Sequence, residues 1–231
     1  MKTAGIVGGI GPESTVDYYR TIVALYRARR DGESPSLVIN SIDLERLLKQ
    51  VAAKQFAELG AYLLEAIHRL AAAGANFAVL ASNTPHVIFP DLAARSPIPL
   101  ISIVDVARDA AERLKLRRLG ILGTRFTMQG TFYAEVFKRS AIAVVPPPPQ
   151  ESGRVHDIYM EELVNGIVRD ESRRELLRIV ADMRARESLD GVLLAGTELP
   201  LLLRGHEPAG IAFLDTAQLH CARVVDELVS R

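Results

Sequence analysis

The chain has 231 residues, with 28 basic and 28 acidic side chains and a formal net charge of zero. That balance leaves no electrostatic footprint for a polyanion, so no nucleic-acid partner is expected, and the arginine-rich stretches 27–30 and 117–118 read as solvated surface. No apolar run approaches the roughly 18 residues a membrane span needs, and the first residues do not read as a secretory signal. Cys221 is the only cysteine, so no disulfide can form within the chain and a cytoplasmic location is expected.

Thr3-Ala4-Gly5-Ile6-Val7-Gly8-Gly9 reads as a short buried strand entering a glycine-rich turn. Pro12 and Glu13 suit the first turn of a helix whose apolar face is Tyr18, Ile22, Leu25 and Tyr26. Residues 36–40 form the next strand, and Phe56, Leu59, Leu63, Ile67 and Leu70 mark a long amphipathic helix closed by Gly74. A strand at 76–81, a helix after Pro85, a strand at 99–103 and a helix at 105–115 follow. This β-α-β-α-β-α-β order predicts an α/β fold, a parallel sheet with helices on both faces.

The pattern then restarts. Gly120-Ile121-Leu122-Gly123-Thr124 repeats the run that begins at Gly5, an offset of 115, and Phe132-Tyr133 repeats Tyr18-Tyr19 at an offset of 114. Val192-Leu193-Leu194-Ala195-Gly196-Thr197-Glu198 repeats the strand end Val79-Leu80-Ala81-Ser82-Asn83-Thr84, with Ala195 at an offset of 114 from Ala81. Three pairs in nearly one register, and in order, point to an internal duplication. The expected architecture is two pseudo-symmetric lobes, residues 1–104 with 209–231 and residues 105–208, each a parallel sheet with flanking helices and with the ligand site between them. In the second half the proline run 146–149 reads as a stiff connector. Residues 157–166, 171–186 and 216–229 read as helices, with Asp170 as an amino-terminal cap.

Strand ends of an open α/β sheet are where ligands bind, so the two matching ends are the candidate site. The turn Gly8-Gly9-Ile10-Gly11-Pro12 lacks the third glycine of a dinucleotide loop, Ser14 standing there, but its backbone N–H groups could take a small carboxylate. The histidines at 68, 86, 156, 206 and 220 are scattered, with no metal-binding spacing, so no metal site is expected. Ser82 lacks a nucleophile elbow, and His86 would serve as its base only if the segment turned at once into helix. Ser82, Asn83, Thr84, Thr124, Thr127, Thr197 and Glu198 remain. Hydroxyls and amides of this kind bind carboxylates, and equally cap the helices that follow strands.

Taken together, Gly8-Gly9-Ile10-Gly11-Pro12-Glu13-Ser14-Thr15, Asp17-Tyr18-Tyr19, Ser82-Asn83-Thr84, Gly123-Thr124-Arg125-Phe126-Thr127 and Thr197-Glu198-Leu199-Pro200 resemble the aspartate/glutamate racemase family, in the family's order and from about residue 4 to 225. The resemblance implies a homodimeric isomerase free of any cofactor, pyridoxal phosphate included. In that family two cysteines on opposite faces of a substrate Cα exchange its proton. It implies Ser82, Gly196, Thr197 and Glu198 at the catalytic positions and Gly8, Gly9, Asn83, Thr84, Thr124, Thr127 and Asn165 at the substrate. Asn165 stands where the family often carries a lysine.

The departure is at the chemistry. The family's cysteine before Asn-Thr is Ser82 here, its cysteine before Thr-Glu is Gly196, and Cys221 matches neither. A thiol with a pKa near roughly 8.5 ionises readily, whereas a serine hydroxyl does not and glycine has nothing to ionise. Two-thiol racemisation is therefore not expected. The expected partner is a small carboxylate or acidic amino acid. Three readings stand: altered cofactor-independent chemistry beside that carboxylate, a non-catalytic carboxylate-binding relative, or a racemase in which serine has replaced a native cysteine.

Overall fold

The computed structural model describes residues 2–230, and the chain divides into two compact units. The first comprises Met1–Ile103 with His220–Arg231 and the second Val104–Leu219.

In the first unit β1 (Thr3–Gly8), α1 (Pro12–Arg29), β2 (Ser36–Ser41), α2 (Leu44–Ala52) and α3 (Phe56–Ala72) lead to β3 (Phe77–Leu80). A 3-10 turn over Thr84–Ile88, α4 (Phe89–Arg95), β4 (Leu100–Ile101) and the start of α5 (Ile103–Arg113) complete it. The strands pair in parallel in the order β2-β1-β3-β4. The periodicities explain the packing: Tyr18, Ile22 and Tyr26 of α1 and Leu59, Leu63, Ile67 and Leu70 of α3 have no exposed surface. Gly74 ends α3 as expected, its φ of 92° lying in the left-handed region, while the Ala75 N–H closes on the Leu70 carbonyl at 3.0 Å.

The second unit runs β5 (Arg118–Gly123), α6 (Arg125–Gln129), α7 (Phe132–Lys138), β6 (Ala143–Val145) and α8 (Pro149–Asp157). It continues through α9 (Asp170–Glu187), β7 (Gly191–Ala195), α10 (Pro200–Leu203) and β8 (Ala212–Asp215) into α11 (Thr216–Val229). Its parallel order, β6-β5-β7-β8, repeats that of the first sheet. β5 begins 115 residues after β1, at Arg118 and Thr3, and β7 begins 114 after β3, at Gly191 and Phe77, the offsets read in the sequence motifs.

Several expectations change. β8 pairs with β7, Val192 opposite Phe213, so the chain stays with the second unit through Leu219, beyond the expected return at residue 209. The helix α2 carries a short apolar face, Leu47 and Val51, and is started by Asp43, whose carboxylate accepts the Arg46 N–H at 3.2 Å. Only part of the proline run is a connector, because Pro149 already stands in the first turn of α8. Arg169 rather than Asp170 is the amino-terminal cap of α9; Asp170 is its first residue and pairs with Arg173. The expected helix 157–166 is instead a π-helical turn over Ile158–Glu162 and a 3-10 turn over Leu163–Asn165.

Candidate functional site

The glycine-rich turn after β1 is shaped by close approach of neighbouring groups. Gly9 has a φ of +80°, and a Cβ there would lie 2.3 Å from the Ile42 carbonyl oxygen; one at Gly8 would lie 2.5 Å from Thr15 Cγ2. The Gly9 N–H donates to Thr15 Oγ1 at 2.8 Å, so that amide is already used within the turn. Ser14 donates to the Ala81 carbonyl at 3.2 Å and ties α1 to the end of β3.

At that strand end Ser82, Asn83 and Thr84 are all buried. Asn83 precedes the 3-10 turn without capping it through its side chain, and its carbonyl accepts the His86 N–H at 3.0 Å. The turn brings His86 close in sequence to Ser82 but not into service as its base. His86 Nε2 accepts the Ile103 N–H at 3.2 Å, which leaves the proton on Nδ1. Nδ1 lies beside the Ser82 and Asn83 carbonyls without a well-formed hydrogen bond to either. The ring stacks on Phe89, 5.0 Å between centroids. Burial and the neighbouring His220 lower its pKa to about 3.

His220 is a second buried neutral imidazole. It donates from Nε2 to the Ile101 carbonyl at 3.0 Å and accepts the Tyr18 hydroxyl on Nδ1 at 3.0 Å, and burial lowers its pKa to about 4. The two rings meet edge to face, 6.4 Å between centroids.

The equivalent end of β7 is different. Gly196 carries no side chain, and the space one would fill is taken by the ring of Tyr159, whose Cε2 lies 2.4 Å from an ideal Cβ. The Tyr159 hydroxyl donates to Glu198 Oε2, and Thr197 Oγ1 donates to the same oxygen at 2.8 Å. All three residues are buried. Burial first, and then the charge of Glu198, raise the Tyr159 pKa well above its usual value. Tyr159 was not among the sequence candidates. It reaches Gly196 from the π-helical turn, 37 residues earlier in the chain, and no local motif announces it.

The remaining candidates divide. Thr124 caps α6, accepting the Thr127 N–H at 3.2 Å and meeting Thr127 Oγ1 at 3.0 Å, so its hydroxyl serves the helix. Thr127 is buried and lines a cavity of about 330 Å³ with Ile121, Tyr133, Val144 and Ser152, a cavity that Gly196, Thr197 and Glu198 do not line. Asn165 is exposed and donates to the Met160 and Glu161 carbonyls of its own turn. Cys221 is buried within α11. Among the described residues no cluster of three metal-ligating side chains exists, and no helix is long and apolar enough to cross a membrane.

Two four-stranded parallel sheets of the same order, each with small polar residues at the end of its third strand, define a duplicated α/β protein. The model of the Asp/Glu/Hydantoin racemase family matches residues 7–224, and the chain belongs to that family. An aspartate racemase homologue from Pyrococcus horikoshii OT3 superposes with a TM-score of 0.84 at 30% identity, covering all of both chains. The Picrophilus torridus aspartate racemase, at 20% identity and a TM-score of 0.79 over 100% of this chain and 96% of that one, shares the fold. A glutamate racemase from Glaesserella parasuis is 28% identical over 125 residues, 54% of this chain and 45% of the relative. The chain thus matches a little under half the length of such curated relatives.

Proposed function

We propose that the protein binds a small carboxylate, an acidic amino acid above all, through polar groups that follow its parallel strands, and that it does not run two-thiol racemisation. The ligand class follows from family membership and from relatives named aspartate and glutamate racemases. Ser82, Asn83, Thr84, Thr197 and Glu198, buried at equivalent ends of equivalent strands, are the groups we assign to it. Thr127 is assigned to it as well, and lines a cavity of its own; Gly8, Gly9, Thr124 and Asn165, which also hold local structure, are assigned to it on the family resemblance.

The observation that carries the reading is the filled space at Gly196. A cysteine simply deleted to glycine leaves a gap, whereas here an aromatic ring occupies the position and is hydrogen-bonded to the adjacent glutamate. In this reading the second strand end is organised around Tyr159 in place of a side chain at 196. Ser82, whose neighbour His86 is neutral and committed to Ile103, gives the first strand end no acid or base to replace a thiol.

The test is a titration of the protein with each enantiomer of aspartate and glutamate, read by protein NMR, beside chiral chromatography of the incubated amino acids. Saturable binding without interconversion of enantiomers is expected, and Ser82→Ala should weaken it. Interconversion by the unmodified protein overturns the exclusion of racemisation; no binding of any of the four overturns the ligand class. The homodimer implied by the family is checked separately by sedimentation equilibrium.

A further inference from the structure

We propose that Tyr159 is the acid–base residue at the end of β7, taking the proton from the carbon beside a bound amino acid's carboxylate while its own proton passes to Glu198. This rests on the ligand class proposed above and goes beyond it by naming the group that does the chemistry and the stereochemical course.

Three features of the second unit point there. The first is position: a Cβ on Gly196 would meet Tyr159 Cε2 at 2.4 Å and Cδ2 and Cζ at 3.1 Å, so the phenol ring stands where the side chain of residue 196 would otherwise project. The second is chemistry: the hydroxyl donates to Glu198 Oε2, an oxygen that also accepts from Thr197. Filling the space needs only a ring, and phenylalanine would do it. The hydroxyl also satisfies a buried carboxylate, and that same hydrogen bond is a path for a proton between phenol and carboxylate. The third is backbone: Tyr159 lies in a π-helical turn between α8 and the 3-10 turn at Leu163. Such turns re-aim side chains and concentrate at functional sites. Tyr18 differs in its partner: its hydroxyl meets an imidazole nitrogen, His220 Nδ1.

The step balances within these groups. The Cα–H bond breaks and its proton goes to the phenolic oxygen as the phenolic proton moves to Glu198 Oε2. The electron pair left on Cα delocalises into the ligand's own carboxylate. The reverse transfers return a proton to the face from which the first was taken. When the acid–base pair exchanges with deuterated solvent in the interval, the ligand acquires deuterium and keeps its configuration. Inversion needs a second acid on the other face, and the Tyr159–Glu198 pair delivers a proton from one side only.

The experiment incubates the unmodified protein, Tyr159→Phe and Glu198→Gln with L- and D-aspartate and L- and D-glutamate in deuterated water. Loss of the Cα proton signal is followed by NMR, configuration by chiral chromatography, binding by titration, and folding by circular dichroism. Tyr159→Phe keeps the ring that fills the space. Expected are Cα exchange with retained configuration for at least one amino acid, and a fall of about a hundredfold or more in both variants, in line with the loss of a general acid–base group, while binding to Tyr159→Phe persists. Exchange that survives Tyr159→Phe, exchange accompanied by inversion at a similar rate, or no exchange in the unmodified protein each overturns the proposal. Binding without exchange fells only the role of Tyr159; absence of binding fells the ligand class as well.

Discussion

Replacing Gly196 by alanine isolates the relation between that residue and Tyr159. Gly196 is not at positive φ, so its backbone carries no penalty for a side chain. With open space above it, alanine would stabilise the fold by about 0.4–1 kcal/mol, through the reduced entropy of the unfolded chain. The space is not open: the new methyl would sit 2.4 Å from Tyr159 Cε2, more than 1 Å inside an ordinary carbon–carbon contact of about 3.5–4.0 Å. The ring cannot swing aside cheaply, being packed in the cluster with Val155, Leu163 and Leu199 and held by its bond to Glu198. Overpacking of this kind costs about 1–3 kcal/mol. That corresponds to a melting temperature lower by about 2–12 °C, at about 2–4 °C per kcal/mol for a chain of this size. Urea and thermal unfolding followed by circular dichroism measure it, in the native background and beside Tyr159→Ala. With the ring gone the alanine should be neutral or mildly stabilising, a coupling of about 1–4 kcal/mol. An alanine variant as stable as the unmodified protein, or one equally destabilised in both backgrounds, would refute the reasoning. The same clash means that Ser82→Cys/Gly196→Cys does not rebuild a two-thiol site unless Tyr159 is reduced as well.

Acid sensitivity should come early. His86 and His220 are held neutral with pKa values of about 3 and about 4, against about 6.5 in the unfolded chain, so below pH 6.5 the unfolded state binds more protons. Their contribution is complete above about pH 6.5 and is lost as pH falls towards 4, by up to about 1.4 kcal/mol per pH unit for each group. The urea midpoint should therefore drop between pH 7 and pH 5, and a flat midpoint over that window contradicts the buried, neutral assignment. Asn165→Ala should lower aspartate and glutamate affinity in an NMR titration; an unchanged affinity would confine its amide to the Met160 and Glu161 carbonyls and take Asn165 away from the ligand.

Much of the architecture was legible because it rests on repeated, periodic features. The apolar residues of α1 and α3 at spacings of three and four, and the three motif pairs near an offset of 114, carry the two parallel sheets almost by themselves. What was not legible is short or non-local. β6 and β8 span three and four residues, too few to show a period, and β8 is recognisable as the second sheet's edge only through its pairing with β7. The roles of Thr124 and Asn165 were ambiguous for a related reason: hydroxyls and amides that bind a carboxylate also bind backbone groups, and only coordinates show those backbone bonds. Tyr159 was invisible because its significance lies in a contact with a residue that has no side chain. A glycine reads in sequence as a loss, and nothing at 159 says that the loss is filled.

That filling bears on how serine at 82 and glycine at 196 are read. A thiol acts alone, since its usual pKa near roughly 8.5 leaves a usable fraction ionised at neutrality. A phenol begins near 10, and burial beside the charge of Glu198 drives Tyr159 higher still, so its anion is not populated and cannot wait as a free base. Whatever proton Tyr159 accepts has to be matched, in the same event, by the one it releases to Glu198. Phenol and carboxylate therefore form one functional unit, and losing either should cost as much as losing both. Their single losses will not add: Tyr159→Phe, Glu198→Gln and the double variant should show nearly the same residual exchange. Packing partners alone would leave exchange untouched in all three, and two independent groups would give a double variant far below either single one.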